Sequence, residues 1–474
     1  MKVSRLYSNV DLCYDHCISS LCCDSRIVKK NDVFYAIKGE NIDGNEFIEE
    51  AIYNGAKTII YSGDNISYHR GINYICVDNV RKQLANDAKV FYKDISKKMI
   101  LIGVTGTNGK TTTTTLFFKY LRYLKKGVTL IGSNGIFINE NYYENNNTTP
   151  SILEIYKVLV ESYKKGIKYV VMEVSSHAIK MLRVWGLIFN TVLITNVTKD
   201  HLDYHKTYDD YLFTKGLFLA NNHKYTIINT ETNDFDFLYR IANDKIITYG
   251  RNSRDFKIKN INLEGNKTTF TLSIGKENYF IETKMLAEFN VYNITGFIAI
   301  LKTQGLFSEN VLEFLKGDIR IDGRMEIIEK NNKTIYVDFA HTPDGVEKVL
   351  TYIDDIKKNN LITVMGCGGN RDKEKRPIMG RIATEISDFV IFTMDSPRNE
   401  KPLDIINDMV AGCKRKNYSI VEDREEAIKI ALEIAKDGDS IAILGKGNED
   451  YIILNGRKIE FNDRKVIEKY LNIL

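Results

Sequence analysis

Short apolar runs and amphipathic stretches alternate through most of the chain, and their two periods separate strands from helices. Residues 33–37, 57–61 and 74–77 read as strands, with helices at 47–54 and 80–92. Residues 99–102 form another apolar run, and 113–124 place Leu116, Phe117, Tyr120 and Leu124 on one helical stripe. Further strands are predicted at 128–131, 169–172 and 191–196, apolar as in a parallel sheet covered on both faces. Ser151 can cap a helix over 152–164, and 208–219 reads as another helix. From Asp255 the pattern becomes an alternation, Phe256 and Ile258 against Lys257 and Lys259. Its phase slips by one at Asn260, as a bulge or a strand end would leave it, and resumes with Ile261 and Leu263. Gly265 is a turn signal, and the β-like pattern runs on to about Met285, where a helix begins. The last part alternates strands at 334–337, 361–365, 389–393 and 440–444 with helices at 344–356, 378–386 and 425–435.

This alternation predicts an α/β protein of three units. A chain of 474 residues is too long for one core. The expected division is a small α/β domain at 1–97, a central parallel-sheet domain at 98–325 and a doubly wound, Rossmann-like domain at 326–474. Ser96-Lys97-Lys98 reads as the linker between the first two.

Between the run at 99–102 and the helix after it lies Gly103-Val104-Thr105-Gly106-Thr107-Asn108-Gly109-Lys110-Thr111-Thr112. Strand, glycine turn and helix make a phosphate cradle: glycine lets backbone approach an anion, and the helix start offers free N–H groups. Lys110 can reach terminal phosphates and Thr111 can hold Mg²⁺. The usual spacing needs glycine at position 104, which is Val104, so this loop is a shorter variant with Gly106. The runs at 169–172 and 191–196 end near Glu173 and His201, and ligands of open α/β sheets bind beyond such strand ends. A carboxylate and an imidazole there suit Mg²⁺ bound to phosphates. Lys215 lies fourteen residues after His201, and an ammonium among metal ligands makes sense only if it pairs with phosphate or is modified.

A 43% hydrophobic and 27% charged composition is that of a soluble globular protein, with a net charge of only +4. No basic run interleaves with aromatics, so no nucleic-acid partner is expected. No apolar stretch is long enough to span a bilayer and none follows the start as a signal core, so a cytoplasmic protein without membrane insertion is expected, and a monomer. The seven cysteines include Cys13, Cys17, Cys22 and Cys23, whose spacing fits no zinc finger or ribbon; reduced thiols are expected. The five prolines, Pro150, Pro343, Pro377, Pro397 and Pro402, fall within or beside the motifs, where a fixed φ suits rigid turns.

Taken in order, the motifs resemble those of the Mur ligases, the ATP-dependent amide-forming enzymes of peptidoglycan synthesis, over nearly the whole chain. Residues 105–112 look like the family's ATP loop, and Glu173-Val174-Ser175-Ser176-His177 and Asp200-His201-Leu202-Asp203 resemble its metal-binding segments. Tyr211-Leu212-Phe213-Thr214-Lys215 resembles the segment whose lysine is carbamylated, which would turn the puzzling ammonium of Lys215 into a carboxylate. Asn293 closes a segment like the adenine-contacting one, and Arg324 and Asp338 match nucleotide contacts of the last domain. The subtype resembled is the MurE type, the UDP-N-acetylmuramoyl-tripeptide synthetases. Cys23 and Ser25 match its uridine contacts, and Asn147, Thr148, Thr149, Ser175 and Arg183 its contacts to the rest of the UDP-muramoyl peptide. Met181 stands where the family often has Gln. Asp395-Ser396-Pro397-Arg398 is close to the signature of enzymes that add meso-diaminopimelate, and Arg371, Gly445 and Glu449 match the other members of that site. An arginine pair can grip a distal carboxylate and Glu449 an ammonium. Ser396, Asn370 and Asn448 depart from the expected Asn, Asp and His.

The resemblance implies that ATP phosphorylates the D-Glu carboxylate of UDP-MurNAc-L-Ala-D-Glu and that a diamino acid attacks the acyl phosphate. Lys110, Glu173, His201 and Lys215 would be catalytic, with Thr111, Glu173, His201 and carbamylated Lys215 holding Mg²⁺. ATP and the diamino acid would bind on different domains, so closure of the third is expected. The alternatives are L-lysine or lanthionine as the amino acid, a folylpolyglutamate synthase, and a non-catalytic nucleotide-binding relative. Folylpolyglutamate synthase usually reads Gly-Lys-Gly where this chain has Gly109-Lys110-Thr111, and a non-catalytic relative should have lost Lys110, Glu173, His201 or Lys215.

Overall fold

A computed structural model describes residues 1–39, 42–64, 66–145, 147–221, 223–243 and 245–472. The chain forms two compact units: Met1–Thr105 with Leu124–Val192 and Leu217–Tyr225, and Gly106–Tyr123 with Leu193–Gly216 and Thr226–Leu474.

In the first unit, strands Leu21–Cys22, Val33–Tyr35, Thr58–Tyr61 and Asn73–Cys76 pair in that order as a parallel sheet. Phe34, Ala36, Ile48, Ala51 and Ile59 are among the buried residues of its core. Helix Val80–Phe91 starts where Asn79 accepts a hydrogen bond from the Lys82 N–H. Ile95–Lys98, which overlaps the expected linker, is a 3₁₀ turn in which Ile95 and Ser96 are buried and the two lysines face solvent. Beyond it, strands Ile100–Thr105, Tyr169–Glu173 and Val128–Gly132 are parallel neighbours, and Gly135–Ile138 and Asn141–Tyr143 extend them antiparallel. Helix Ile152–Lys164 opens with a full capping box, Ser151 and Glu154 each bonding the other's backbone.

In the second unit, helix Lys110–Tyr123 begins three residues before the sequence pattern suggested. Thr111 to Thr115 are β-branched and favour other conformations, yet all five are buried, so packing overrides propensity. Tyr120 of this helix meets Phe297 of helix Glu288–Thr303 at 5.7 Å between ring centroids. Strands Phe256–Glu264, Lys267–Ile274 and Glu277–Thr283 occupy the β-like stretch and pair antiparallel. Their register shifts between Lys259 and Asn262, and Asn260 has φ +50°, so of the bulge and the strand end that the phase slip allowed, the strand holds a bulge. A six-stranded sheet follows, in the order Glu326–Lys330, Lys333–Asp338, Ser440–Leu444, Leu361–Met365, Phe389–Phe392, Tyr418–Ile420; only the first pair is antiparallel. Helices Pro343–Ile356, Lys375–Ile386 and Pro402–Val410 supply one core of this sheet, and Arg424–Ile434 with Asp463–Tyr470 the other, so both faces are covered. Among the described residues no helix is long and apolar enough to cross a membrane.

Candidate functional site

The glycines of the loop are obligatory. Gly106 and Gly109 have φ of +139° and +84°, and a Cβ on them would lie 1.9 Å from Thr195 Oγ1 and 2.3 Å from Asn293 Oδ1. The turn is pinned from the segment Thr195–Thr198. Asn196 accepts from the N–H groups of Thr107 and Asn108 at 2.9 and 3.0 Å, and Thr195 Oγ1 donates to the Asn108 carbonyl. Thr107 Oγ1 is 2.9 Å from the Tyr211 hydroxyl and donates to the Thr198 carbonyl. Thr112 is buried in the first turn of the helix.

Two lysine side chains converge on one carbonyl here. Lys110 Nζ donates to Gly106 O at 2.8 Å and to Thr107 O at 2.9 Å, and Lys215 Nζ donates to Gly106 O at 2.9 Å. Lys215 is 1% exposed, 4.6 Å over the Tyr211 ring. Burial, and after it the Lys110 charge, hold its amine well below the usual lysine range, against the opposite pull of Asp200. Asp200 is buried too. Burial opposes its charge, but His201, Lys375 and His341 outweigh burial and keep its carboxyl below the ordinary range. His201 sits at φ +55° with its Nε2 3.4 Å from Asp200.

Several later segments of the same unit reach this loop. Arg324 Nη2 donates to the Thr111 hydroxyl at 3.2 Å and lies over the Phe339 ring. Asn108 Nδ2 donates to Asp344, and Lys375 lies 3.7 Å from Asp200. Asp338 accepts from the N–H groups of Met325 and Ala340, and burial pushes its carboxyl up. Asn293 fills the space beside Gly109.

Glu173 belongs to the first unit and is 1% exposed, accepting from the Ser133 N–H at 2.9 Å. It heads a neutral network there. Thr149 Oγ1 donates to the Glu173 carbonyl and accepts from the Ser175 N–H; Thr148 meets Ser133. Arg183 Nη1 donates to the Thr149 carbonyl at 2.8 Å and Nη2 to the Met181 sulfur at 3.3 Å, so the thioether stands in as an acceptor where Gln was expected. The Asn147 N–H rests on Asn145. In the loop after the first strand Cys23 is exposed, and the buried Ser25 donates to Glu50.

At the strand ends of the six-stranded sheet, Arg398 (φ +56°) donates to Gly369 O at 2.7 Å, and Arg371 lies 3.9 Å from Asp203. Burial, followed by the Arg371 charge, lowers the Arg398 pKa. The Ser396 hydroxyl accepts from the Ile453 N–H, and the Pro397 carbonyl would be 1.9 Å from a Cβ on Gly369. Gly445 has φ +113° and its missing Cβ leaves room for Asp395. Sequence reasoning missed Lys446. It is fully buried, 2.9 Å from Glu449 and 3.9 Å from Asp395, so Glu449 already holds an internal ammonium. The signal was a cation flanked by glycines and followed by an acid. It also did not single out Lys375 and Arg376, which are buried beside these loops, or His341, whose pKa burial lowers.

The Mur ligase middle-domain model matches residues 104–301, the glutamate ligase domain model 323–447 and the Mur ligase family catalytic-domain model 17–94. The UDP-N-acetylmuramoyl-L-alanyl-D-glutamate--2,6-diaminopimelate ligases of Clostridium tetani and Aquifex aeolicus are 41% and 39% identical, over 95% and 96% of this chain and 94% of each relative. A UDP-N-acetylmuramyl-tripeptide synthetase 2 of Oceanobacillus iheyensis is 36% identical over 95% of this chain and 93% of its own. Among solved structures, a UDP-N-acetylmuramoyl-L-alanyl-D-glutamate--2,6-diaminopimelate ligase superposes with TM-score 0.71 at 28% identity, covering 100% of this chain and 99% of that one. The MurF ligase of Thermotoga maritima in complex with ADP shares the fold, with TM-score 0.65 at 18% identity over 96% and 98% of the two chains. With relatives this similar over nearly their full length, and with the three-domain architecture they share, the chain belongs to the Mur ligase family.

Proposed function

We propose that this chain is an ATP-dependent ligase that joins meso-diaminopimelate to the D-Glu carboxylate of UDP-MurNAc-L-Ala-D-Glu in peptidoglycan precursor synthesis. The observation that carries the reading is the glycine loop at the head of helix Lys110–Tyr123, where the Lys110 ammonium folds back on the Gly106 and Thr107 carbonyls. A helix start with a lysine beside it suits phosphates and the charge that develops during their transfer. ATP would phosphorylate the carboxylate and leave as ADP, the amine would attack the acyl phosphate, and the tetrahedral intermediate would lose a proton and expel phosphate, leaving the amide.

Gly106, Thr107, Asn108, Gly109, Lys110, Thr111 and Thr112 would cradle the phosphates, and Asn293, Arg324 and Asp338 would contact the rest of the nucleotide. The donor set fits Mg²⁺, because a hydroxyl and a buried carboxylate are hard oxygen ligands. Thr111, Glu173, His201 and Lys215 would be its ligands, and the ion would neutralise phosphate charge when bound. Lys215 qualifies only as a carbamate. A buried amine kept neutral beside Lys110 can add CO₂ and lose a proton, which makes it an anion. Cys23, Ser25, Asn147, Thr148, Thr149, Ser175, Met181 and Arg183 would bind the UDP-muramoyl peptide. Arg371, Asp395, Ser396, Pro397, Arg398, Gly445 and Glu449 would bind the amino acid.

The names of the Clostridium tetani and Aquifex aeolicus relatives support diaminopimelate, whereas that of the Oceanobacillus iheyensis relative leaves L-lysine open. We place the domains at 1–97, 98–325 and 326–474, and the protein in the cytoplasm as a monomer. The test is phosphate release from ATP with UDP-MurNAc-L-Ala-D-Glu and a panel of amino acids. Release should require all three substrates and be fastest with meso-diaminopimelate; release independent of the nucleotide sugar would overturn the reading.

A further inference from the structure

Arg398 and Arg371 stand on two loops, and one buried ion pair ties those loops together. Arg376, in the first turn of helix Lys375–Ile386, is fully buried. Its Nη1 donates to Glu400 Oε2 at 2.9 Å and its Nη2 to Glu400 Oε1 at 2.8 Å, a two-pronged fork. Nη1 also donates to Asp408 at 2.8 Å, and Nη2 reaches the Gly368 carbonyl at 3.4 Å. Glu400 serves both loops, because its Oε1 also accepts from the Asn370 N–H. Around this pair the two backbones are stitched. Gly369 N–H donates to the Ser396 carbonyl at 2.9 Å, Asn370 Oδ1 accepts from the Asn399 N–H at 3.1 Å, and Arg398 donates to the Gly369 carbonyl. Asn370, with φ +51°, is a residue type that tolerates this turn.

We propose that the Arg376–Glu400 pair is a positioning device that sets the spacing of the Arg371 and Arg398 guanidiniums and so determines selectivity for an amino acid bearing a distal carboxylate. The proposal rests on reading these arginines as part of the amino-acid site. Two guanidiniums held close repel each other, and a carboxylate between them removes the repulsion. Arg371 is 44% exposed and 3.9 Å from its Asp203 neighbour, so it needs its loop held from behind to face a ligand reproducibly. A fully buried arginine is costly unless its partner stays in place, so this pair locks rather than drifts. The two residues touch no substrate themselves. Their effect passes through Asn370 and Gly369 to the loop bearing Arg371, and through Gly369 to Arg398.

Glu400 lies on a loop and Arg376 keeps Asp408 when it is replaced, so the melting temperature of each variant is measured beside its kinetics. In the full-length enzyme, Glu400→Ala should lower kcat/KM for meso-diaminopimelate about thirtyfold, mainly through KM, while KM for ATP and for UDP-MurNAc-L-Ala-D-Glu stays within about threefold. Use of L-lysine should be unchanged, so discrimination collapses. Glu400→Gln keeps an oxygen for the Asn370 N–H and Arg376 Nη2 and should recover most of the loss, and Arg376→Lys should fall between. Equal losses for diaminopimelate and lysine, or an unchanged KM for diaminopimelate, would overturn the proposal while leaving the amino-acid site in place. A wild-type enzyme that prefers L-lysine would overturn the reading of the site itself, and the proposal with it.

Discussion

In the first unit Thr149, Ser175 and Met181 meet their neighbours through a hydroxyl, backbone groups and a thioether around the buried Glu173; in the second Lys446, Arg376 and Arg424 are charged and fully buried, and Lys215 is a buried amine. Arg424 is held by Asp463, with both partners buried, and Lys446 by Glu449. Burying a charge is expensive and tolerated where a structure or a reaction requires it, whereas neutral contacts are cheap to make and to lose. The contrast sets the buried cations of the second unit against a buried carboxylate, Glu173, among hydroxyl and backbone contacts in the first. It also ranks the substitutions that would break or sharpen it.

The largest effect is expected at the loop. Lys110→Ala should lower kcat by about a thousandfold, or ~4 kcal/mol, as loss of a preorganised charge from phosphoryl transfer does. The helix that follows is held by its buried threonines, so an unchanged melting temperature is the control. Near wild-type turnover would remove the loop from the mechanism.

Lys215→Ala comes next, with a loss of about a hundredfold or more expected. If the missing group is a carbamate, acetate or formate should restore part of the activity, and ethylamine should not. Rescue by the amine alone would show that an ammonium acts there.

A smaller effect is expected on stability. Burial, helped by Lys375, pushes the His341 pKa down to about 4, against the pull of Asp200. The unfolded side chain titrates near ~6.5. Between these values the unfolded chain binds a proton that the folded one does not, so stability falls as pH falls through that window and is unaffected above it. His341→Gln should flatten the pH dependence by about 1–3 kcal/mol in urea titrations from pH 7 to pH 4. An unchanged slope would place the acid sensitivity elsewhere.

The smallest effect lies in the neutral network. Met181→Gln gives Arg183 a stronger acceptor than sulfur, worth about 0.5–1 kcal/mol, so KM for UDP-MurNAc-L-Ala-D-Glu should fall two- to fivefold at constant kcat. A loss in kcat instead would mean that this contact reaches the reacting groups.

Much of this was legible in the sequence where local rules and tertiary packing agree. The capping box at Ser151, the bulge at Asn260 and the strands 361–365 and 440–444 follow from residue type and period. The helix start at Lys110 was placed late because a run of threonines argues against helix until its burial is known. The burial of Ser96 was not legible, because its two lysine neighbours mask an anchored turn. The candidate residues Lys110, Thr111 and Lys215 stood out by motif, but the meeting of the two lysines at Gly106, and of Thr111 with Arg324, depends on the fold. Lys446 and Arg376 were illegible because a charged residue in a loop usually faces water, and only the packing of distant segments shows that these do not.

The account stands most directly on the preference at the arginine pair. The decisive measurement is kcat/KM for meso-diaminopimelate, lanthionine and L-lysine side by side, in the wild type and in Arg398→Ala. Arg398 is half-buried and Arg371 exposed, so a lysine bound there forgoes charge-assisted hydrogen bonds worth about 1.5–3 kcal/mol, and the wild type should favour diaminopimelate about tenfold to a hundredfold. Arg398→Ala should erase most of that preference without changing KM for ATP. Equal or better use of L-lysine by the wild type would contradict the carboxylate clamp and assign the buried charges of this region another role.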